Sequence, residues 1–335
     1  MPFDSFLGNR RNIERLRDKL KQGRFPQGLL FSGPDGIGKR TCALMVAKAL
    51  NCTNSPPGDF CDECANCRKI EAGIHPDVTH IGLEEDASDI KIAQIREATR
   101  LLSFRPSEGR NKIFIIDPAN LLNPSSSNAL LKGLEEPPEN SYIILITNRL
   151  HALLPTIRSR CQSYIFTPLK LADLRQFGNA QGPVDELMLR WSRGSIGTLR
   201  SLDATTLKGQ RESILEFIEV AFLATEEEFR ELLSIAKDIG GTKQDFSVSL
   251  EMIGVLLTDL LYLKENFADH VVNQDVLGRL EKLAAGISTG HLIQLIEFLA
   301  TMETTMKNNV NRTVLTEVLA LNSNLGLTKI LHDNP

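Results

Sequence analysis

Three short apolar runs punctuate the first half of the chain: QGLLFSG at 27–33, NKIFIID at 111–117 and SYIILIT at 141–147. Runs of this length, rich in Ile and Leu and bounded by polar loops, predict strands buried on both faces. A glycine-rich turn follows the first run, and Thr41 to Leu50 continues as a helix. SSSNALLKGLEEPP (125–138) reads as another helix, closed by a proline pair. Strand and helix alternate over the first 165 or so residues, which predicts a parallel sheet with helices on both faces. After CQSYIFTPLK the pattern changes. From about residue 168 helical periodicity dominates, as in 211–239 and 290–310, and the stretch 190–203 reads as a hinge ahead of a larger helical domain. The expected fold class is α/β followed by all-α.

Composition narrows this picture. With 335 residues and 42% hydrophobic content, the chain is too long for one ordinary core, so two or three domains are expected. A formal charge of −4 excludes a strong overall pull toward nucleic acid or an anionic membrane. MPFDSFLGNRRNIERL lacks the apolar core of a signal peptide, and no apolar run reads as a membrane span. A cytoplasmic location is expected, with reduced cysteines, so that a cysteine cluster points to metal rather than to disulfides.

GPDGIGKRT (33–41) carries the first candidate chemistry. In G-x-x-x-x-G-K-[ST] the backbone amides surround phosphates, the lysine reaches the terminal ones, and a hydroxyl ligates Mg²⁺. Gly33, Gly38 and Lys39 fit, and Gly36 adds flexibility. Arg40 stands where the hydroxyl belongs, and a guanidinium cannot coordinate a cation. Thr41 is one residue late, turned ~100° away by helix geometry. A hydrolysing site also ends its second strand with Asp to orient the metal's water, followed by Glu to activate the attacking water. FIIDPAN offers Asp117 and then Pro118, which has no base. Two independent defects predict a phosphate-binding loop without hydrolysis.

Cys52, Cys61, Cys64 and Cys67 lie within sixteen residues as C-x8-C-x2-C-x2-C, a spacing that suits one tetrahedral Zn²⁺. An iron–sulfur cluster is the main rival, although the ligand that a ferredoxin carries a few residues downstream of its C-x2-C-x2-C run, with its following proline, is absent. Four thiolates leave no open position, so a structural role is expected. Cys42 and Cys161 stand apart as ordinary buried thiols, and the histidines show no ligand spacing. In TIRSRCQSY (156–164), Arg160 between Ser159 and Cys161 reads either as a surface loop arginine or as a finger offered to a neighbouring subunit's γ-phosphate.

Together these residues resemble the bacterial DNA polymerase III clamp-loader family within the AAA+ class, across essentially the whole chain. GLLFSGPDGIGK, the four-cysteine module, HPDV (75–78), KIFIIDPAN, NALLKGLEEPP and SRC occur in the family's order, and NNVNRTVLTEVLAL (308–321) resembles its last helices. The resemblance implies an AAA+ P-loop domain at 1–166 carrying the zinc module (52–67), a small helical lid domain at 167–206, and a helical collar for oligomerisation at 207–335. The family's motor members have Thr or Ser at position 40, Glu at 118 and an arginine ending a G-S-x-R segment. Here that segment is GSIG (194–197), ending in Gly197, while the first-sensor position falls at Asn148.

Three losses with SRC retained resemble the family's stationary subunit. The resemblance then implies a hetero-pentameric ring with gamma or tau motor subunits and a delta subunit, acting on a sliding clamp and primer–template DNA. Arg160, beside Ser159, would complete the adjacent motor's ATP site in trans. Gly33, Gly36, Gly38, Lys39, Arg40, Thr41, Asp117 and Asn148 would form a degenerate site able to hold ATP or ADP without turnover. The alternatives are a catalytically active gamma- or tau-type ATPase and a zinc-dependent nucleic-acid module outside any ring.

Overall fold

The computed structural model describes residues 2–54, 58–85, 87–180, 182–223 and 243–305. Two compact units divide them: Met1–Pro183 with Ser192–Ser201, and Val184–Trp191 with Leu202–Pro335. The helical runs expected over 224–239 and 308–321 lie outside the described residues.

The first unit is built on a sheet of order β2-β3-β4-β1-β5, all parallel. Its strands are β1 (Gly28–Ser32), β2 (Val78–Ile81), β3 (Lys112–Ile116), β4 (Ser141–Thr147) and β5 (Gln162–Ile165). β1, β3 and β4 coincide with the three apolar runs. Their alternate residues feed two separate cores, which is why these strands are apolar throughout. Leu29, Phe31, Ile113, Ile115, Ile144 and Ile146 pack on one face, under α1 (Arg10–Lys21), α2 (Lys39–Asn51) and α3 (Ala65–Glu71). Leu30, Phe114, Ile116, Ile143 and Leu145 pack on the other, against α4 (Ile92–Leu102), α5 (Pro124–Glu135) and α6 (Pro155–Arg160). Asn123 caps α5 by accepting from the Ser126 amide, and Pro124 opens the helix at a position that needs no N–H.

β5 is an edge strand, and α1 covers part of its open side. The Asn12 amide donates to the Ile165 carbonyl at 2.7 Å. Asn9 donates to the Thr167 carbonyl at 3.0 Å and accepts from the Thr167 amide at 2.9 Å, so one side chain completes a strand-like pair. Beyond β5 lie α7 (Leu171–Asn179), α8 (Glu186–Trp191), α9 (Ile196–Ser201) and α10 (Ala204–Leu223). The chain passes between the units at 183–184, 191–192 and 201–202.

HPDV has a local structural use. The buried Asp77 carboxylate accepts from the Ser107, Glu108 and Gly109 amides at 2.7–2.8 Å, and these bonds hold it below the usual carboxylate range against the cost of burial. His75 is buried, with Nδ1 accepting from the Asp77 amide at 3.1 Å and Nε2 unpaired among the described residues. Burial holds its pKa below the ordinary value, and His80 is lowered by burial and then by Arg40. A histidine depressed in the folded state is protonated first in the unfolded state. Stability is therefore full above about pH 6.5 and falls as pH drops through that value, by at most about 1.4 kcal/mol per pH unit for one proton. Asp77 adds its own loss at lower pH, as pH falls through its depressed folded value. Chemical denaturation at pH 8 and pH 5 should show this slope, and His75→Asn, which keeps an acceptor for Asp77, should flatten it. An unchanged slope would place the effect on His80.

The second unit is helical. α10 and the helices Lys243–Lys264, Leu277–Gly286 and Thr289–Thr305 share one core containing Phe217, Phe246, Leu256, Leu260 and Leu292. The segment Phe246–Lys264 is long and apolar enough, by length and composition, to cross a membrane, contrary to the sequence-based expectation. Half of it is buried against its neighbours, as befits a helix apolar around most of its circumference inside a helical core. Asp259, on this helix, accepts from the Val272 and Asn273 amides at 2.9 Å.

Candidate functional site

The loop after β1 runs directly into α2, at the carboxyl end of the sheet where open α/β folds bind ligands. Gly33, Gly36 and Gly38 have φ of 144°, 69° and 95°. Lys39 is buried, and its ammonium donates to the Gly33 carbonyl at 2.6 Å and to the Pro34 carbonyl. Burial lowers its pKa, while the nearby Asp35 and Asp117 carboxylates oppose the shift. Asp35 lies 3.7 Å from the Lys39 ammonium and accepts from the Asn148 amide at 2.7 Å, so Asn148 is tied to the loop itself.

A cavity of about 400 Å³ opens beside the loop, within the range of small-molecule sites. Gly36, Gly38, Lys39, Arg40, Thr41 and Asp117 line it. Thr41 thus reaches the cavity although it follows the loop by one residue. Burial raises the Asp117 pKa, opposed first by Arg40 and then by Lys39, so both cations sit close to this carboxylate. Sequence reasoning missed other parts of the lining, among them Phe6 and Leu7 before α1, Phe177 on α7, and Ile196 and Arg200 on α9. It also missed His80, which shares the neighbourhood of Arg40. The only sequence signal was the position of GSIG, which anticipates the approach of α9.

That approach is a backbone contact. The Gly197 amide donates to the Gly36 carbonyl at 2.9 Å, and a Cβ added at Gly197 would lie 2.8 Å from the Gly36 Cα. A Cβ at Gly36 would lie 2.2 Å from the Ser195 hydroxyl. That hydroxyl caps the first turn of α9 by accepting from the Thr198 amide at 3.1 Å. Both glycines are needed for α9 to sit on the loop. Gly197→Ala should cost about 1–3 kcal/mol in chemical denaturation, as an overpacked contact does, and should speed hydrogen exchange at the Gly197 amide. Unchanged exchange would mean that the contact holds α9 no more firmly than solvent does.

Arg160 and Ser159 lie apart from this cavity. Arg160 is the last residue of α6 rather than a loop residue. Its guanidinium donates to the Thr156 carbonyl at 3.0 Å and pairs with Glu135 of α5 at 2.8 Å, with 36% of the side chain exposed. Ser159 donates to the same carbonyl at 3.0 Å. An exposed pair of this kind is worth about 0–1 kcal/mol, so Arg160 is oriented but readily released to a stronger anion.

The sulfur atoms of Cys52, Cys61, Cys64 and Cys67 lie within 4.8 Å of one another and can hold a metal ion. Cys52 and Cys61 are 3.5 Å apart and Cys52 and Cys64 4.0 Å, close to the ~3.8 Å edges of a tetrahedron with 2.3 Å metal–sulfur bonds. The Cys64 amide donates to the Cys61 sulfur at 3.3 Å, and the Cys67 amide to the Cys64 sulfur at 3.5 Å. Burial raises Cys52, Cys64 and Cys67 toward the thiol form. At Cys64, bonds from Thr53 and Cys67 outweigh burial and bring the pKa down to about 6. Cys42 and Cys161 are raised by burial, Cys161 to about 12.

The module is anchored on α2. Lys48 pairs with Asp62 at 2.5 Å and Glu71 at 2.7 Å, and Asn66 donates to the Asn51 carbonyl at 2.9 Å. It also holds the N-terminal segment. Phe3 meets the Phe60 ring edge-on at 5.3 Å, and its amide donates to Asp59 at 3.3 Å.

The profile of the family "DNA polymerase III, delta subunit" matches residues 8–170, and that of "DNA polymerase III, delta subunit, C terminal" matches residues 209–324. Among curated proteins, the chain is 36% identical over 199 residues to DNA polymerase III subunit tau of Bacillus subtilis, covering 59% of this chain and 34% of that protein. It is 37% identical over 160 residues to subunit delta' of the same organism, covering 48% of each. The chain spans between a quarter and a half of the length of the first curated relatives it matches. A gamma subunit-related protein of Thermotoga maritima shares the fold, with a TM-score of 0.53 at 19% identity, covering 93% of this chain and 98% of that one. The parallel sheet followed by an all-helical region is the AAA+ clamp-loader fold, and the chain belongs to the family of DNA polymerase III clamp-loader subunits.

Proposed function

We propose that this chain is a delta-prime-type stator: a non-hydrolysing subunit that supports ATP-driven loading of a sliding clamp onto primed DNA and lends Arg160 to a neighbouring motor's ATP site. The observation that carries the reading is the lining of its own cavity. Arg40 occupies the place of the metal-binding hydroxyl, and Pro118, which follows the cavity-lining Asp117, offers no base. Arg160, by contrast, stands partly exposed at a helix end, held by one weak ion pair and a hydrogen bond to the Thr156 carbonyl. Gamma or tau motor subunits and a delta subunit are its proposed ring partners, with clamp and primer–template DNA reached through the complex. Zinc is the proposed occupant of the four-cysteine site, because an all-thiolate tetrahedral set suits it and closes the site to chemistry. The domain reading of a P-loop domain at 1–166, a lid at 167–206 and a collar at 207–335 belongs to the same proposal.

A second reading, a catalytically active gamma- or tau-type ATPase, is favoured by the relatives named tau and gamma. ATP hydrolysis by the purified chain separates the two. The stator reading expects only background turnover, with Lys39→Ala making no difference. Turnover above background that Lys39→Ala removes would overturn it.

A further inference from the structure

The site next to the phosphate loop does not fit the divalent cation that such loops use. A cation there needs a hydroxyl and a carboxylate beside the phosphates. At the hydroxyl's position the chain offers the Arg40 guanidinium, which donates hydrogen bonds only and repels a second cation, and the Thr41 hydroxyl, which also lines the cavity, comes one residue late. Yet the cavity is built. It has about 400 Å³ of space, an apolar flank of Phe6, Leu7, Phe177 and Ile196, and a charged flank on the loop.

We infer that this cavity binds a nucleoside di- or triphosphate without a divalent cation, the Arg40 guanidinium taking the electrostatic place of the metal. The inference rests on the reading that the chain's own site does not hydrolyse ATP. Three cationic side chains, Lys39, Arg40 and Arg200, line the cavity against two carboxylates, Asp35 and Asp117. With threonine at position 40 that lining would be neutral, and Asp117 would repel a phosphate until a metal arrived. Arg40 supplies the offset permanently, and its planar fork can hold two phosphate oxygens. Arg200 adds a charge from the lid side. Its guanidinium lies 5.3 Å from the centre of the Phe177 ring, and the Gly36–Gly197 contact fixes its helix over the loop. The loop geometry supports the same ligand. Lys39 donates to two backbone carbonyl oxygens, with the Asp35 carboxylate 3.7 Å away, and a phosphate can replace the carbonyl contacts with charge-assisted bonds about twice as strong.

The test is a fluorescence titration of the full chain with N-methylanthraniloyl-ADP and N-methylanthraniloyl-ATP, in EDTA and in magnesium. Saturable binding is expected in EDTA, no weaker than in magnesium. Arg40→Gln should weaken it roughly ten- to hundredfold in EDTA, the effect of losing a hydrogen bond to a charged group. Arg40→Thr should show the same loss, and thermal unfolding of both variants reports whether the fold persists. Absence of saturable binding in both buffers would overturn the inference. So would binding that requires magnesium, or folded Arg40 variants that bind as tightly as the parent. The titration reads this chain's own loop, whereas the stator reading is tested by the chain's own turnover and by the motor partner's, so either can fail without the other.

Discussion

Arg160→Ala, reconstituted with gamma- or tau-type motor subunits, is expected to assemble normally and to slow ATP hydrolysis by the motor whose site we propose that it completes. An arginine finger supplies ~10³ or more at a site that depends on it, and a ring with several sites shows a smaller net loss. The local structure argues that the substitution acts on chemistry rather than on folding. Arg160 is exposed, its ion pair with Glu135 is worth about 0–1 kcal/mol, and α6 is held by the buried Ile157. Arg160→Lys should recover only part of the loss, because an ammonium keeps the charge without the two-pronged donor. Glu135→Gln should keep most of the turnover, since it removes a restraint and leaves the guanidinium in place. Unchanged turnover by an assembled Arg160→Ala complex would sink the assignment.

Removing the metal should have the largest effect on stability. Metal analysis of the purified chain should give about one zinc per chain, the complement of one four-thiolate site. In isolated zinc fingers the bound metal contributes on the order of 10 kcal/mol of folding free energy. Here Cys52, Cys64 and Cys67 belong to the core under α1, α2 and α3, while the core on the other face of the sheet stands apart from the site, so chelation or Cys67→Ser should loosen the module and its adjoining core first rather than the whole unit. The expected signature is a lower thermal midpoint with faster hydrogen exchange over residues 58–71. The loss should spread to the N-terminal segment, because Asp59 and Phe60 hold Phe3. Ser5, Phe6 and Leu7, which follow it, wall the cavity beside the phosphate loop. Iron in place of zinc, or a thermal midpoint indifferent to chelation, would refute the assignment.

Much of the framework was legible because both faces of the central strands are buried. β1, β3 and β4 announce themselves as unbroken Ile- and Leu-rich runs. β2 and β5 do not: each has four residues, and VTHI and QSYI mix polar with apolar positions as short outer strands do. The loop, the cysteines and Arg160 were visible because their chemistry is local in sequence. Phe6, Phe177 and Arg200 were not, because folding alone brings positions so far apart in the chain to one cavity, and folding likewise brings His80 near Arg40. Gly197 was legible as a missing arginine, while the backbone contact that its lack of a side chain permits was not. Asn148 was read as the first-sensor position of the degenerate nucleotide site, and the structure gives its amide to Asp35.

The asparagines beside β5 bear on how copies of such a chain avoid one another. A parallel sheet with a bare outer strand invites the next copy to continue it, and repetition of that step has no natural end. Asn9 and Asn12 satisfy the Thr167 amide and the Ile165 and Thr167 carbonyls from within the same chain. That part of the rim is closed to strand-by-strand polymerisation.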